Sequence, residues 1–255
     1  MISIIENYHS LVKKFQAIEK GLSAEEIHDK RVLLRRIFPM LAAYNIKASK
    51  VKNGEITFNL FGKLRDIQVQ LENLEKSELP TELIEYQHFL KKREVKVQEK
   101  VRKFSKKKVI KFPKLDKDIP IDNAKLISKV NKQLEKLIEK IEFLNIANVS
   151  DIHDLRIEFK KYRYLIEILA MIESIDEAKI NDLKTYQDLL GEIHDYEVLM
   201  DGINVYCKKR KLKDVDIEWL ENKQNSLVGT FENDTEKLIE VCRNVIEPEA
   251  HHNSE

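Results

Sequence analysis

This sequence predicts an all-α fold: two pseudo-symmetric antiparallel four-helix bundles related by internal duplication. Three observations lead there. Gly and Pro are scarce, at 6 and 5 of 255 residues, while Leu, Ile, Lys and Glu dominate, a composition suited to long helices and few hairpins. Apolar residues recur at helical spacing along most of the chain. And Ile27-His28-Asp29-Lys30-Arg31-Val32-Leu33-Leu34-Arg35-Arg36 returns about 125 residues later as Ile152-His153-Asp154-Leu155-Arg156-Ile157-Glu158-Phe159-Lys160-Lys161, a distance too long for a solenoid unit.

Each element has a local reason. Ile4, Ile5, Leu11, Val12, Phe15 and Ile18 keep helical spacing up to Gly21, which reads as a C-terminal stop. Ser23 with Glu26 has the form of a capping box and starts the helix that carries the first repeat. Asn53-Gly54 breaks the chain before a third helical stretch through Leu74, and a fourth begins at Pro80 or Thr81. Phe112-Pro113 to Pro120 interrupts the pattern, and four further stretches follow at about 121–147, 151–173, 176–208 and 215–245. The expected organisation is a four-helix half over 1–112, a linker over 113–120, a second four-helix half over 121–246 and a polar tail over 247–255.

A second repeated element supports duplication. Gly62-Lys63-Leu64-Arg65-Asp66 lies 34 positions after His28, and Gly191-Glu192-Ile193-His194-Asp195 lies a similar distance after His153. Gly62 and Gly191 read as points of close helix contact, and Asp66 and Asp195 as orienting partners for nearby Arg or His.

Charge carries the functional signal. Forty-five basic and 44 acidic residues leave a net charge of +1, yet the signs are segregated. From Lys91 to Lys117 only Glu94, Glu99 and Asp116 are acidic, so Arg102, Lys103, Lys106 and Lys107 form a basic run; Asp214, Asp216, Glu218 and Glu221 collect later. At roughly 100° per residue, His28, Arg31 and Arg35 share a sector of about 60°, opposite Leu33, Leu34, Ile37 and Leu41. His153, Arg156 and Lys160 share the same sector in the second repeat, with Arg163 one turn on. Such a stripe repels itself unless carboxylates or a polyanion offset it, and Arg and Lys both suit phosphate oxygens.

These paired motifs resemble the CHAD domain, the conserved histidine α-helical domain, and the resemblance covers almost the whole chain. It implies two four-helix bundles around a basic central surface that binds inorganic polyphosphate, with targeting to polyphosphate granules. The family's basic positions then fall on His28, Arg31, Arg35, Arg36 and Arg65, and on His153, Arg156, Lys160, Lys161 and Arg163. The chain departs from the pattern at Phe38, which stands where the second repeat has Arg163, and at His194, which replaces the Arg of Leu-Arg-Asp. With Lys at several Arg positions, this implies weaker or more pH-dependent binding and unequal halves. The triphosphate-tunnel catalytic domain that often accompanies the family is not present in these residues.

Other chemistries are less well supported. Glu25-x-x-His28 and Glu85-x-x-His88 match the spacing of di-metal carboxylate/histidine four-helix bundles, but Ser150 stands opposite Glu25 in the second repeat. A nucleic-acid backbone would also be drawn to Lys91–Lys117, although only Phe104 and Phe112 interleave with the cations. No P-loop, dinucleotide turn, nucleophile elbow or magnesium motif occurs, so a binding protein without cofactor is expected rather than an enzyme. Two cysteines without a CxxC, no signal-type N-terminus and no membrane-length apolar run give a cytoplasmic expectation with no membrane partner.

Overall fold

A computed structural model describes residues 4–18, 23–75, 79–115, 122–146, 148–212 and 215–246. Among them the regular structure is helical: α1 (Ile4–Ala17), α2 (Ala24–Ala43), α3 (Gly54–Leu74), α4 (Thr81–Lys107), α5 (Asn123–Glu142), α6 (Val149–Leu169), α7 (Glu177–Arg210), α8 (Glu218–Asn233) and α9 (Thr235–Asn244), with one 3₁₀ turn at Ala48–Lys50. The stop expected at Gly21, most of the linker and the polar tail lie outside the described residues.

Local chemistry sets most helix ends. The capping box at α2 is complete: Ser23 Oγ accepts from the Glu26 N–H at 3.1 Å, and Glu26 Oε2 accepts from the Ser23 N–H at 2.5 Å. Asp122 caps α5 through the Lys125 N–H, and Asn148 caps α6 through the Ser150 N–H. Asn45 and Lys211, at φ 58° and 57°, close α2 and α7 in the left-handed region, where the Ile46 and Leu212 N–H groups reach back to Leu41 and Cys207. Pro39 lies inside α2 and deprives the Arg35 carbonyl of its usual helical donor.

One expected helix is two. The stretch at 215–245 breaks at Asp234, whose backbone sits at φ −103°, ψ 3°. Its N–H closes a tight turn onto Phe231 and the Thr235 hydroxyl donates to the Glu232 carbonyl, so Asn233-Asp234-Thr235 satisfies its backbone locally instead of continuing the helix.

The chain forms two compact units. The first comprises Ile2–Ile121 and Asp195–Gln224; the second comprises Asp122–His194 and Asn225–Glu255, together with Met1. Besides the division at the expected linker, α7 itself is shared, its residues up to His194 belonging to the second unit. At about 1.5 Å per residue this helix is roughly 50 Å long.

In the first unit α1 packs on α2, α2 on α3, and α3 on α4. Gln68 donates to Glu94 while Glu75 pairs with Lys91, so α3 and α4 run antiparallel. Ile27, Phe61, Leu64 and Val101 form a buried cluster that joins the start of α2, the middle of α3 and the basic end of α4. Asn53 Nδ2 holds the exit of α4 by donating to the Val109 carbonyl at 2.8 Å.

In the second unit α5 packs on α6 and on α9. Leu155, Phe159, Tyr162 and Ile166 give α6 its apolar face, all fully buried. The Tyr162 hydroxyl donates to the Cys242 carbonyl at 2.6 Å and Lys179 Nζ donates to the Asn244 carbonyl at 2.9 Å, satisfying two carbonyls that α9 leaves open at its end. Cys207 and Cys242 are free thiols, and burial pushes Cys242 up to about 12.

Candidate functional site

The two repeats fold as α2 and α6, each with a buried apolar face that fixes the rotation of its basic face. On α2, Ile27, Leu34, Ile37 and Leu41 are buried, which leaves His28 and Arg36 exposed and Arg31 and Arg35 half-buried. Among the described residues, the side chains of His28, Arg35 and Arg36 form no ion pair or hydrogen bond. The Arg31 guanidinium lies over the Phe58 ring, 5.5 Å from its centroid, and beside Gly62. On α6, His153, Arg156 and Lys160 are half-buried. Nε of Arg31 and Nε of the matching Arg156 are both buried.

The glycines of the second motif do not serve close packing. A Cβ at Gly62 would touch only the Arg31 guanidinium, at an ordinary 3.7 Å, and a Cβ at Gly191 would meet nothing within 4 Å.

The partners of the other cations separate the two repeats. Glu158, in the middle of α6, is buried and accepts from Gln133 at 2.9 Å, Lys161 at 2.9 Å and Lys136 at 3.0 Å. Burial, the largest single influence, opposes its ionisation, but these three hydrogen bonds outweigh it and hold the carboxyl at about 2. Lys161 is therefore tied to an internal carboxylate, whereas its counterpart Arg36 is not. Arg163 is also engaged, with Nη1 2.6 Å from Glu167 Oε1, Nε donating to Gln187 at 2.7 Å, and its plane over Tyr164. Where Arg163 has its counterpart in α2, Phe38 packs edge-on against Phe58. Arg65 forms a two-point bridge to Glu72 at 2.7 and 3.1 Å.

The basic end of α4 adds to the first unit. Val101 and Ile27 belong to one buried cluster, so the chain segments that carry Arg102 and His28 converge on it. Arg102, Lys103, Lys106 and Lys107 are exposed; Lys103 pairs with Glu99 at 2.6 Å and its hydrogen bond lowers that carboxyl. An exposed pair of this kind yields readily to a competing anion.

His153 and His194 meet in the second unit, Nδ1 to Nδ1 at 3.2 Å with ring centroids 4.6 Å apart. That contact needs one ring to donate and the other to accept. Imidazole nitrogens are of the donor type that transition metals accept. Among the described residues, Glu25, His28, Glu85 and His88 are not gathered into a ligand set of three or more donors. Among them, too, no helix is long and apolar enough to cross a membrane.

The helical architecture and the two histidine-led basic helices are those of a domain class that the whole sequence can be compared with. The family model of the CHAD domain matches residues 5–203, and the chain belongs to that family. Among solved structures, the crystal structure of the CHAD domain from the plant Ricinus communis is similar, with a TM-score of 0.64, 14% sequence identity, and coverage of 94% of this chain and 89% of that one. At that identity the likeness concerns the fold. No curated protein matches the sequence significantly.

Proposed function

We propose that this protein binds inorganic polyphosphate without catalysing its turnover, through the basic faces of α2 and α6, and that α2 contributes more. The observation that carries the proposal is the repeated histidine-led face itself, with His28, Arg35 and Arg36 free of internal partners among the described residues while Lys161 and Arg163 are held by Glu158 and Glu167. Arg offers paired donors to phosphate oxygens, and the stripe's self-repulsion falls when a polyanion lies along it. Family membership supports the reading, since the CHAD resemblance implies this ligand and targeting to polyphosphate granules. Cytoplasmic location follows as part of the same proposal. Arg102, Lys106 and Lys107 extend the positive surface of the first unit.

Replacing Arg35 and Arg36 together by Glu tests it, because both side chains project from the helix and their change spares the core. Affinity for long-chain polyphosphate, measured by titration calorimetry with single-stranded DNA as competitor, should fall by on the order of tenfold or more, with helicity unchanged. Unchanged affinity would remove α2 from the site, and displacement of the polymer by equimolar DNA would favour a nucleic-acid ligand.

A further inference from the structure

The first unit also contains a cleft of about 460 Å³ between α3, α4 and the last turns of α7; Lys63 and Asp66 of the second repeated element line it, but no residue of α2 or α6 does. Its size falls in the range of small-molecule sites. Three aromatic rings form its floor: Tyr86 stacks near Phe89 with centroids 6.1 Å apart, and Tyr206 lies 5.2 Å from each. Phe89 is 40% exposed and Val205, beside it in the cleft, 53% exposed, so apolar surface faces solvent there.

The floor is built, not incidental. The buried Tyr86 hydroxyl donates to Gln70 Oε1 at 2.6 Å, and Gln70 Nε2 donates to the Asp66 carbonyl, which fixes the ring. Gly202 allows this, since a Cβ there would collide with the Tyr86 hydroxyl and Gln70 Oε1.

The rim is charged with both signs. Lys63, Arg93 and Lys209 line it and form no ion pair among the described residues, and Arg210 stands over Tyr206, 5.7 Å from its centroid. Asp66 and Asp201 line it too. An apolar occupant would leave six charged groups unanswered. A bare phosphate chain would meet two carboxylates and leave the exposed Phe89 ring unused. A nucleoside phosphate answers the site better: its base stacks on Phe89, which the buried Tyr86 and Tyr206 rings back, its phosphates meet the cations, and its hydroxyl or amino hydrogens donate to the carboxylates.

We propose that this cleft binds a nucleoside phosphate, separately from the polyanion faces of α2 and α6. Titration calorimetry of the full chain with ATP, on the background in which Arg35 and Arg36 are Glu, tests it. One-to-one binding is expected, weakened about tenfold by Phe89→Ala through lost stacking and blocked by Val205→Trp, which fills the cleft. Tripolyphosphate should not displace the nucleotide. Circular dichroism checks that both variants stay folded. No binding of ATP, equal affinity in folded forms of both cleft variants, or displacement by an equal concentration of tripolyphosphate would each overturn the proposal.

Discussion

Replacing Glu158 by Gln should lower stability and raise polyanion affinity in the same molecule. Glu158 has only 8% of its side chain exposed and carries the charge that holds Lys136 and Lys161. Its carboxyl titrates at about 2 in the fold against an ordinary 4.5, and that difference of roughly 2.5 units corresponds to about 3 kcal/mol. Lys136 and Lys161 are half exposed, at 50% and 53%, so solvent screening reduces the expected loss to about 2 kcal/mol.

Because the folded value lies below the unfolded one, the contribution is complete above about pH 4.5 and disappears as pH falls toward 2. Urea unfolding of both proteins between pH 7 and pH 2 reads this directly. The variant should be less stable by about 2 kcal/mol at pH 7, with the gap closing as acid protonates the wild-type carboxyl. Polyphosphate titration at pH 7 should show tighter binding, since Lys161 loses its internal counter-ion. A gap that stays constant down to pH 2 would refute the assigned electrostatics. Unchanged or weaker polymer binding would refute the reading of Lys161 as a neutralised site cation.

Two predictions concern the frame that holds the site. Lys211→Gly relieves a side chain held at φ 57° at the end of α7 and should stabilise the protein by about 1 kcal/mol in denaturant unfolding; a loss of stability would contradict the assigned cap. Tyr162→Phe deprives the Cys242 carbonyl of its 2.6 Å donor at the end of α9 and should cost about 1–3 kcal/mol in the same assay, whereas an unchanged midpoint would show that water replaces the hydroxyl.

What sequence reasoning could read was local. Ser23 and Glu26 announced their capping box because both halves of it lie within one turn. The basic faces of α2 and α6 followed from helical period, since Ile27, Leu34 and Ile37 leave only one side of the helix for His28 and Arg31. The break at Asp234 escaped a periodicity argument because apolar spacing continues across it through Phe231 and Leu238.

The partners of the cations are partly legible in the sequence. Glu158 with Lys161 and Arg163 with Glu167 are neighbours at i,i+3 and i,i+4, visible to any count that follows acids as well as bases. Gln133 and Lys136 reach Glu158 from α5, and His153 meets His194 across 41 residues, so only packing reveals them. The cleft floor was hidden for the same reason: Tyr206 on α7 meets Tyr86 and Phe89 on α4 across more than a hundred residues, and Gly202 signals close approach only once Tyr86 lies against it.

The central claim is that multiple cations engage a phosphate polymer, and the salt dependence of its affinity tests this most directly. If about four cations contact the chain, log affinity should fall against log salt with a slope near −3 to −4, roughly a hundredfold loss between about 50 and 200 mM. Long polyphosphate should bind far more tightly than triphosphate or phosphate. A flat salt response, or equal affinity for phosphate, triphosphate and the long polymer, would contradict the account.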